Sequence, residues 1–211
     1  MLNTHMDISY VNQENTVYFS ILHKHLGTQC PINIATIGNT EILQNRMLAL
    51  FCSVKCPGRL ILKAYDLIQE LRQTDVTIIS GFHSPVEREA INILLRGSNP
   101  IVICLARSIE KIRIRSEYKK LLNDGRLLIV SPFIDKPLRP TAETSFYRNQ
   151  FVVALANQIL VAYAEPSSKT ERTCVFALEC KKFLYTLDDA ANSNLVKLGA
   201  KPVSFTHEIL V

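Results

Sequence analysis

The residues best placed to do chemistry are small hydroxylic and cationic side chains that follow short apolar runs. The run at 48–52 leads into Cys52-Ser-Val-Lys-Cys-Pro-Gly58, a turn of small residues with one cation that opens into a helical stretch. Free amides and the positive dipole end at a helix start favour phosphate. A phosphate can therefore rest on the amides from Ser53 to Gly58 with Lys55 as its counter-charge. The alternative is an ordinary strand-to-helix turn with an exposed lysine. The string G-x-x-x-x-G-K-[ST] is absent, so this is not a P-loop. After the next run comes Ser80-Gly-Phe-His-Ser-Pro-Val-Glu87. Gly81 lets a ligand approach the backbone closely. His83 can meet a base or phosphate, or cap local carbonyls. Glu87 reads as a capping-box partner rather than a catalytic acid. Arg107 follows a third run and precedes a helical stretch, a suitable place for an anion ligand. Arg148 and Asn149 stand in Thr144-Ser-Phe-Tyr-Arg-Asn-Gln150, ahead of an apolar helix over 151–160. Pro166-Ser-Ser-Lys-Thr-Glu171 puts Ser168, Lys169 and Thr170 at another helix start, the second phosphate candidate.

The remaining reactive residues point away from catalysis. Cys52 and Cys56 form a C-x-x-x-C pair, but a zinc site needs two further ligands at suitable spacing. Cys174 and Cys180 lie on one helical stretch, and Cys104 sits inside an apolar run as a small hydrophobe. Packed or loop thiols are expected, with no metal and no cofactor. The 5 histidines are scattered, and there is no G-x-S-x-G elbow. Few carboxylates fall near the candidate turns. Binding is expected rather than hydrolysis.

Six continuous apolar runs must position these turns: 48–52, 76–80, 101–105, 127–130, 159–163 and 183–187. Continuous runs suit strands covered on both faces. Between them lie helical stripes: Ile61, Ala64, Tyr65, Ile68 and Leu71; Val86, Ala90, Ile93 and Leu94; Ile112, Tyr118, Leu121 and Leu122; Cys174, Ala177 and Leu178. Ser84, Pro85 and Glu87 mark the second helix start. The alternation predicts an α/β fold: a Rossmann-like, doubly wound, mainly parallel sheet with helices on both faces. Residues 1–31 read as an N-terminal extension with a short helix from Asn15 to Leu26, and 32–211 as the Rossmann domain, led by an extra strand over 32–37. In such sheets ligands bind beyond the carboxyl ends of the strands. With 211 residues, 47% of them hydrophobic, the chain can bury a large core without disulfides or metals. A net charge of +5 permits phosphate-bearing partners without requiring them. Neither a signal peptide over residues 1–10 nor a membrane-spanning run is evident. A cytoplasmic location with reduced thiols is expected, with no membrane partner.

Several of these segments, in order, resemble the DNA-processing protein A family (DprA, also called Smf). Ile34-Ala-Thr-Ile-Gly-Asn39 resembles the family's leading strand and glycine turn. The stretch from Leu48 to Gly58 resembles its first core strand and G-S-R turn. Ser80-Gly81 matches the start of S-G-x-A-R-G-I-D. Arg148-Asn149 with 151–156 resembles R-N-R-I-I-A-G-L, and Asn194-Leu-Val-Lys-Leu-Gly-Ala200 resembles N-x-L-I-x-x-G-A. The resemblance implies a Rossmann-like fold and a single-stranded DNA cleft containing Ser53, Ser80, Gly81, Arg148 and Asn149. It also implies RecA loading in DNA uptake and is compatible with a homodimer. Lys55 stands in for the arginine of the first turn. Cys52 and Val54 replace the glycine and arginine of G-S-R, the A-R-G-I-D stretch reads His83-Ser-Pro-Val-Glu87, and Gln150 replaces the second arginine of R-N-R. Fewer cations imply weaker, less salt-dependent binding. Two other readings share the same cleft. One is a nucleotide-binding sensor without a DNA role. The other is a nucleotide N-glycosidic hydrolase, whose P-G-G-x-G-T-x-x-E string is absent.

Overall fold

The computed structural model of the chain describes residues 7–12, 17–135 and 137–209. Among these, nine strands form one sheet: β1 (Ser9–Asn12), β2 (Asn33–Gly38), β3 (Met47–Cys52), β4 (Thr77–Ser80), β5 (Ile101–Cys104), β6 (Leu127–Ser131), β7 (Gln158–Tyr163), β8 (Phe183–Leu187) and β9 (Lys201–Val203). Their spatial order is β1-β2-β6-β5-β4-β3-β7-β8-β9. The seven strands from β6 to β9 are parallel, while β1 and β2 are antiparallel additions at one edge. The fold is thus α/β and Rossmann-like, with the mainly parallel sheet the apolar runs predict.

The chain starts the parallel sheet in its middle, at β3. It winds outward through β4, β5 and β6, then returns to β3's other side at β7. The crevice between the carboxyl ends of β3 and β7 is the topological switch point, where Rossmann-like sheets bind ligands.

Alternate strand residues feed two separate cores. On one face Leu48, Leu50, Ile78, Ile103, Ile129 and Leu160 pack with α2 (Gly58–Leu71), α3 (Pro85–Leu94) and α4 (Ser116–Asn123). On the other, Ala49, Phe51, Ile79, Val102, Val130 and Val161 pack with α1 (Val17–Leu26), α5 (Ala142–Leu155), α6 (Lys169–Glu179) and α7 (Ser193–Leu198). Burial on both faces is why the strands read as unbroken apolar runs rather than alternating ones. The first two residues of the short helix expected from Asn15 to Leu26, 15 and 16, lie outside the described residues.

The structure corrects four helix boundaries. The helix stripe placed at Ile112 begins only at Ser116. Lys111 is in the left-handed region at φ 56°, which breaks a right-handed helix. Residues 106–115 form instead a connection stapled to its neighbour: the Ser108 hydroxyl donates to the Ile134 carbonyl, and the Ser131 hydroxyl donates to the Arg107 carbonyl at 2.7 Å. Lys111, Arg113 and Arg115 therefore lie ahead of the helix. Thr144 to Gln150 lie inside α5 rather than before it. Thr141 caps that helix by accepting from the Thr144 N–H at 3.1 Å, a box closed by a threonine hydroxyl where the usual signal is Glu or Gln. The same helix ends at Leu155, not at 160, with Ala156 as its extended C-cap, and the Asn157 N–H then donates to the Met47 carbonyl at 2.9 Å and hands the chain to the sheet. Finally, Cys180 is the C-cap of α6 and not a mid-helix residue.

Among the described residues, no helix is long and apolar enough to cross a membrane.

Candidate functional site

All strands from β3 to β8 point their carboxyl ends to one edge, so the sequence candidates share that edge. They form two groups with a carboxylate between them.

The first group lies at the switch point. Ser53 follows β3 and is buried; its hydroxyl accepts from the Glu165 N–H at 3.1 Å, while its own N–H donates to the Tyr163 carbonyl at 2.8 Å. The Ser168 hydroxyl lies 3.4 Å from that of Ser53. Ser168 is also the N-cap of α6, accepting from the Glu171 N–H at 3.2 Å, and Glu171 in turn accepts from the Ser167 N–H at 2.6 Å. Two hydroxyls expected to meet a phosphate thus fasten the turn after β3 to the turn after β7. The Ser-x-x-Glu spacing of Ser168 and Glu171 is a capping signal that was available in the sequence. Lys55, Gly58 and Lys169 are exposed around this junction and Thr170 is half-buried. Among the described residues, neither Lys55 nor Lys169 makes an ion pair.

The second group lies at the ends of β4 and β5. Arg148, on α5, is buried at 5% exposure. Its Nη1 donates to the Cys104 carbonyl at 3.1 Å and its Nε to Asn149 Oδ1 at 2.8 Å. The guanidinium lies where a side chain of residue 81 would begin: a Cβ on Gly81 would overlap Nη1 and Cζ. Gly81 is therefore glycine for space and not for its backbone angle. Among the described residues no carboxylate pairs with Arg148. Burial, partly offset by this cation, pushes the Cys104 thiol up to about 12.

Glu87 holds the two groups together. Its Oε1 accepts from the Cys52 N–H at 2.9 Å; its Oε2 accepts from the His83 N–H at 2.8 Å and from the Ser84 N–H and Ser80 hydroxyl at 3.4 Å. The Ser84 hydroxyl completes the capping box by accepting from the Glu87 N–H at 3.2 Å. Phe82, buried, takes a left-handed φ of 49° between them, and its N–H donates to the Ser80 hydroxyl at 3.1 Å. A bulky residue in that region costs of order 1–3 kcal/mol. The surrounding bonds hold it. The His83 side chain is left exposed. Arg107 is half-buried and turned onto its own connection, where Nη1 donates to the Ser108 carbonyl at 3.1 Å. It does not join either group.

Two asparagines that the residue pattern did not single out as ligands support the turn after β7. Asn192 Nδ2 donates to the Ala162 and Leu187 carbonyls at 3.0 Å, and Asn194 Nδ2 donates to the Ala164 carbonyl at 3.1 Å and to Glu171 at 2.6 Å. Asn194 was signalled by the family segment that it opens, and Asn192 was not.

The start of α2 is tied to the end of β8 by Asp189. Arg59 donates to it through Nε and Nη2 at 2.7–3.1 Å, and Lys63 lies 3.4 Å away. The Arg59 hydrogen bonds, joined by the Ala191 N–H, hold the Asp189 carboxyl well below the usual carboxylate range. A depressed folded-state pKa adds stability above the unfolded value, about 3.9 for Asp, and loses it as pH falls through the folded value. Asp189→Asn should melt a few degrees below the wild type at pH 7. The gap should narrow below about pH 4, as melting curves at neutral and acid pH would read.

A family model described as DNA recombination-mediator protein A matches residues 9–211. No curated protein matches the chain in sequence. Among solved structures, it is similar to DNA processing protein A from Streptococcus pneumoniae at 17% identity and a TM-score of 0.79, covering 98% of this chain and 74% of that one. It is similar to DNA processing protein A from Helicobacter pylori, described for its single-stranded DNA binding mode, at 19% identity and a TM-score of 0.76, covering 99% and 96%. The molybdenum cofactor carrier protein of Chlamydomonas reinhardtii is a more distant match at 14% identity and a TM-score of 0.54, covering 78% and 94%. At these identities the likenesses speak to the fold.

Proposed function

The chain belongs to the DNA recombination-mediator protein A family, and from that premise we propose that it binds single-stranded DNA along the carboxyl edge of its sheet. The observation that carries this reading is Arg148: a buried guanidinium, without a carboxylate partner among the described residues, seated against the bare backbone of Gly81. A planar guanidinium offers a fork of donors that fits a phosphate. Lys55 and Lys169 flank the switch point as cations with no ion pair among the described residues, so a backbone can run from the β4–β5 ends across the β3–β7 crevice. The α2, α3 and α6 helices also start at this edge, with their positive dipole ends toward it.

The test is binding of a labelled single strand across a salt series. The wild type should bind, with log K falling linearly in log salt. Lys55→Ala and Lys169→Ala should each flatten that slope by about 0.7, the increment for one phosphate contact on a single strand. No binding at low salt would overturn the reading. A nucleotide panel that raised the melting temperature while single strands failed to bind would put the sensor reading in its place. We further propose, on the family's mediator role, that the bound strand is passed to a RecA recombinase. Failure of purified RecA to exchange onto strands coated by this protein would remove that step.

A further inference from the structure

We propose that Gly81 and Phe82, in the loop after β4, are a gate over Arg148 that a phosphate holds open. Its tie to phosphate rests on the reading of Arg148 as a strand ligand, and that reading needs it: a guanidinium at 5% exposure meets no phosphate until something moves. Three groups crowd the guanidinium. Cys104 gives its carbonyl from the end of β5, and Asn149 its Oδ1 from α5. Gly81 is the third, lying so close that a Cβ on it would overlap Nη1, Cζ and Nη2. Cys104 and Asn149 belong to a strand and a helix. Gly81 belongs to neither, so it is the cover that can lift.

The loop is loaded for that movement. Among the described residues Phe82, Lys111, Ser167 and Lys181 take a positive φ without being glycine, and Phe82 is the buried one. At φ 49° its Cβ crowds the following carbonyl oxygen, a cost that glycine escapes. The segment is anchored at both ends. Ser80 is the last residue of β4, and the His83 N–H donates to Glu87 at 2.8 Å. The Phe82 ring is buried with the residues under α2 and α3. It is the pivot, and Gly81 is the moving end. Lifting Gly81 breaks one neutral hydrogen bond, from the Phe82 N–H to the Ser80 hydroxyl at 3.1 Å, and lets Phe82 return to an extended backbone. The bond lost and the strain released are of the same order, so the shut and open forms lie close in free energy. Contacts between Arg148 and a phosphate exist only in the open form, and such a differential contact is what shifts a population.

The gate is read without DNA by phenylglyoxal, which modifies accessible guanidinium groups, with the site mapped by mass. In the folded wild type Arg148 should react slowly, at a rate that low denaturant leaves unchanged, as local opening does. Reaction of Arg148 only as the whole protein unfolds would overturn the gate. Phe82→Ala and Phe82→Gly both lose the ring, so their comparison isolates the backbone. Glycine is at ease in the shut, left-handed form and alanine is not. Arg148 should therefore react about 5- to 30-fold faster in Phe82→Ala than in Phe82→Gly, the left-handed cost converted at tenfold per about 1.4 kcal/mol. Equal rates would overturn the gate. The wild-type arm needs no substitution, so misfolding of either variant leaves the test intact. A bound single strand should shield Arg148, and should bind Phe82→Ala more tightly than Phe82→Gly. Strands that bind both variants equally and leave Arg148 as reactive as before would overturn the gate and spare the DNA reading. Failure of strands to bind, with the reactivity ratio intact, would remove the DNA reading and keep the gate.

Discussion

Gly81→Ala is expected to destabilise the protein by about 1–3 kcal/mol, the usual cost of forcing extra atoms into a packed site. The new methyl group meets the Arg148 guanidinium, the far end of a long side chain. That guanidinium is itself held by the Cys104 carbonyl and Asn149. Either the loop after β4 lifts, or Arg148 is expelled and its two acceptors lose their donor. Arg148→Ala alone removes the same bonds and should cost a comparable amount, about 1–3 kcal/mol. The double variant is the decisive one. Without the guanidinium, the alanine methyl enters vacated space, so the two changes together should cost less than their sum. The expected coupling is roughly 0.5–3 kcal/mol, the range for residues in contact. Denaturant melts of the four proteins measure it. Additive costs would mean that the two residues do not share the space. If Arg148 is also the phosphate ligand, single-strand affinity should fall in all three variants. The double variant would then recover stability without recovering binding.

This contact also shows where sequence reading stops. The β strands were legible because they are covered on both faces, which leaves unbroken apolar runs such as 48–52 and 101–105. The start of α3 was legible because Ser84, Pro85 and Glu87 act on one another within a single turn. Each of these signals is local. The antiparallel seat of β2 beside β6 was not legible, because it depends on pairings such as Ile37 with Ile129 from distant parts of the chain. The late start of α4 was hidden for a similar reason: the left-handed Lys111 belongs to a connection shaped by Ser108 and Ser131, which bond across to neighbouring loops. The candidate residues could be picked out by type and place, but their partners were not visible. Gly81 looked like room for a ligand and is filled by Arg148. Ser168 looked like a phosphate hydroxyl and is a cap tied to Ser53. Arg107 looked like an anion ligand and closes on its own backbone.

Glu87 is the residue whose importance this geometry raises most, and its replacement should have the second large effect. A capping-box glutamate on a helix surface contributes about 1 kcal/mol. Here the carboxylate is buried at 5% exposure and serves donors from two strands. One oxygen receives the Cys52 N–H at the end of β3; the other receives the His83 N–H in the loop after β4. Glu87→Gln cannot reproduce this. An amide has one acceptor oxygen, so its NH2 must face a backbone N–H on one side or the other. An orphaned buried donor costs about 1–3 kcal/mol, and that is the loss expected for Gln. Glu87→Ala removes both charge-assisted bonds, each worth about 1.5–3 kcal/mol, and should cost more than Gln. The ordering Ala worse than Gln, with both below the wild type, is what denaturant titration should read. A Glu87→Gln variant as stable as the wild type would mean that Cys52 and His83 find other acceptors. It would also mean that the link between the switch-point turn and the Arg148 pocket runs elsewhere. If the ordering holds, the carboxylate that reads in the sequence as a capping-box partner is also the strut that sets the spacing between Ser53 and Gly81, and so the path along which a phosphate backbone would lie.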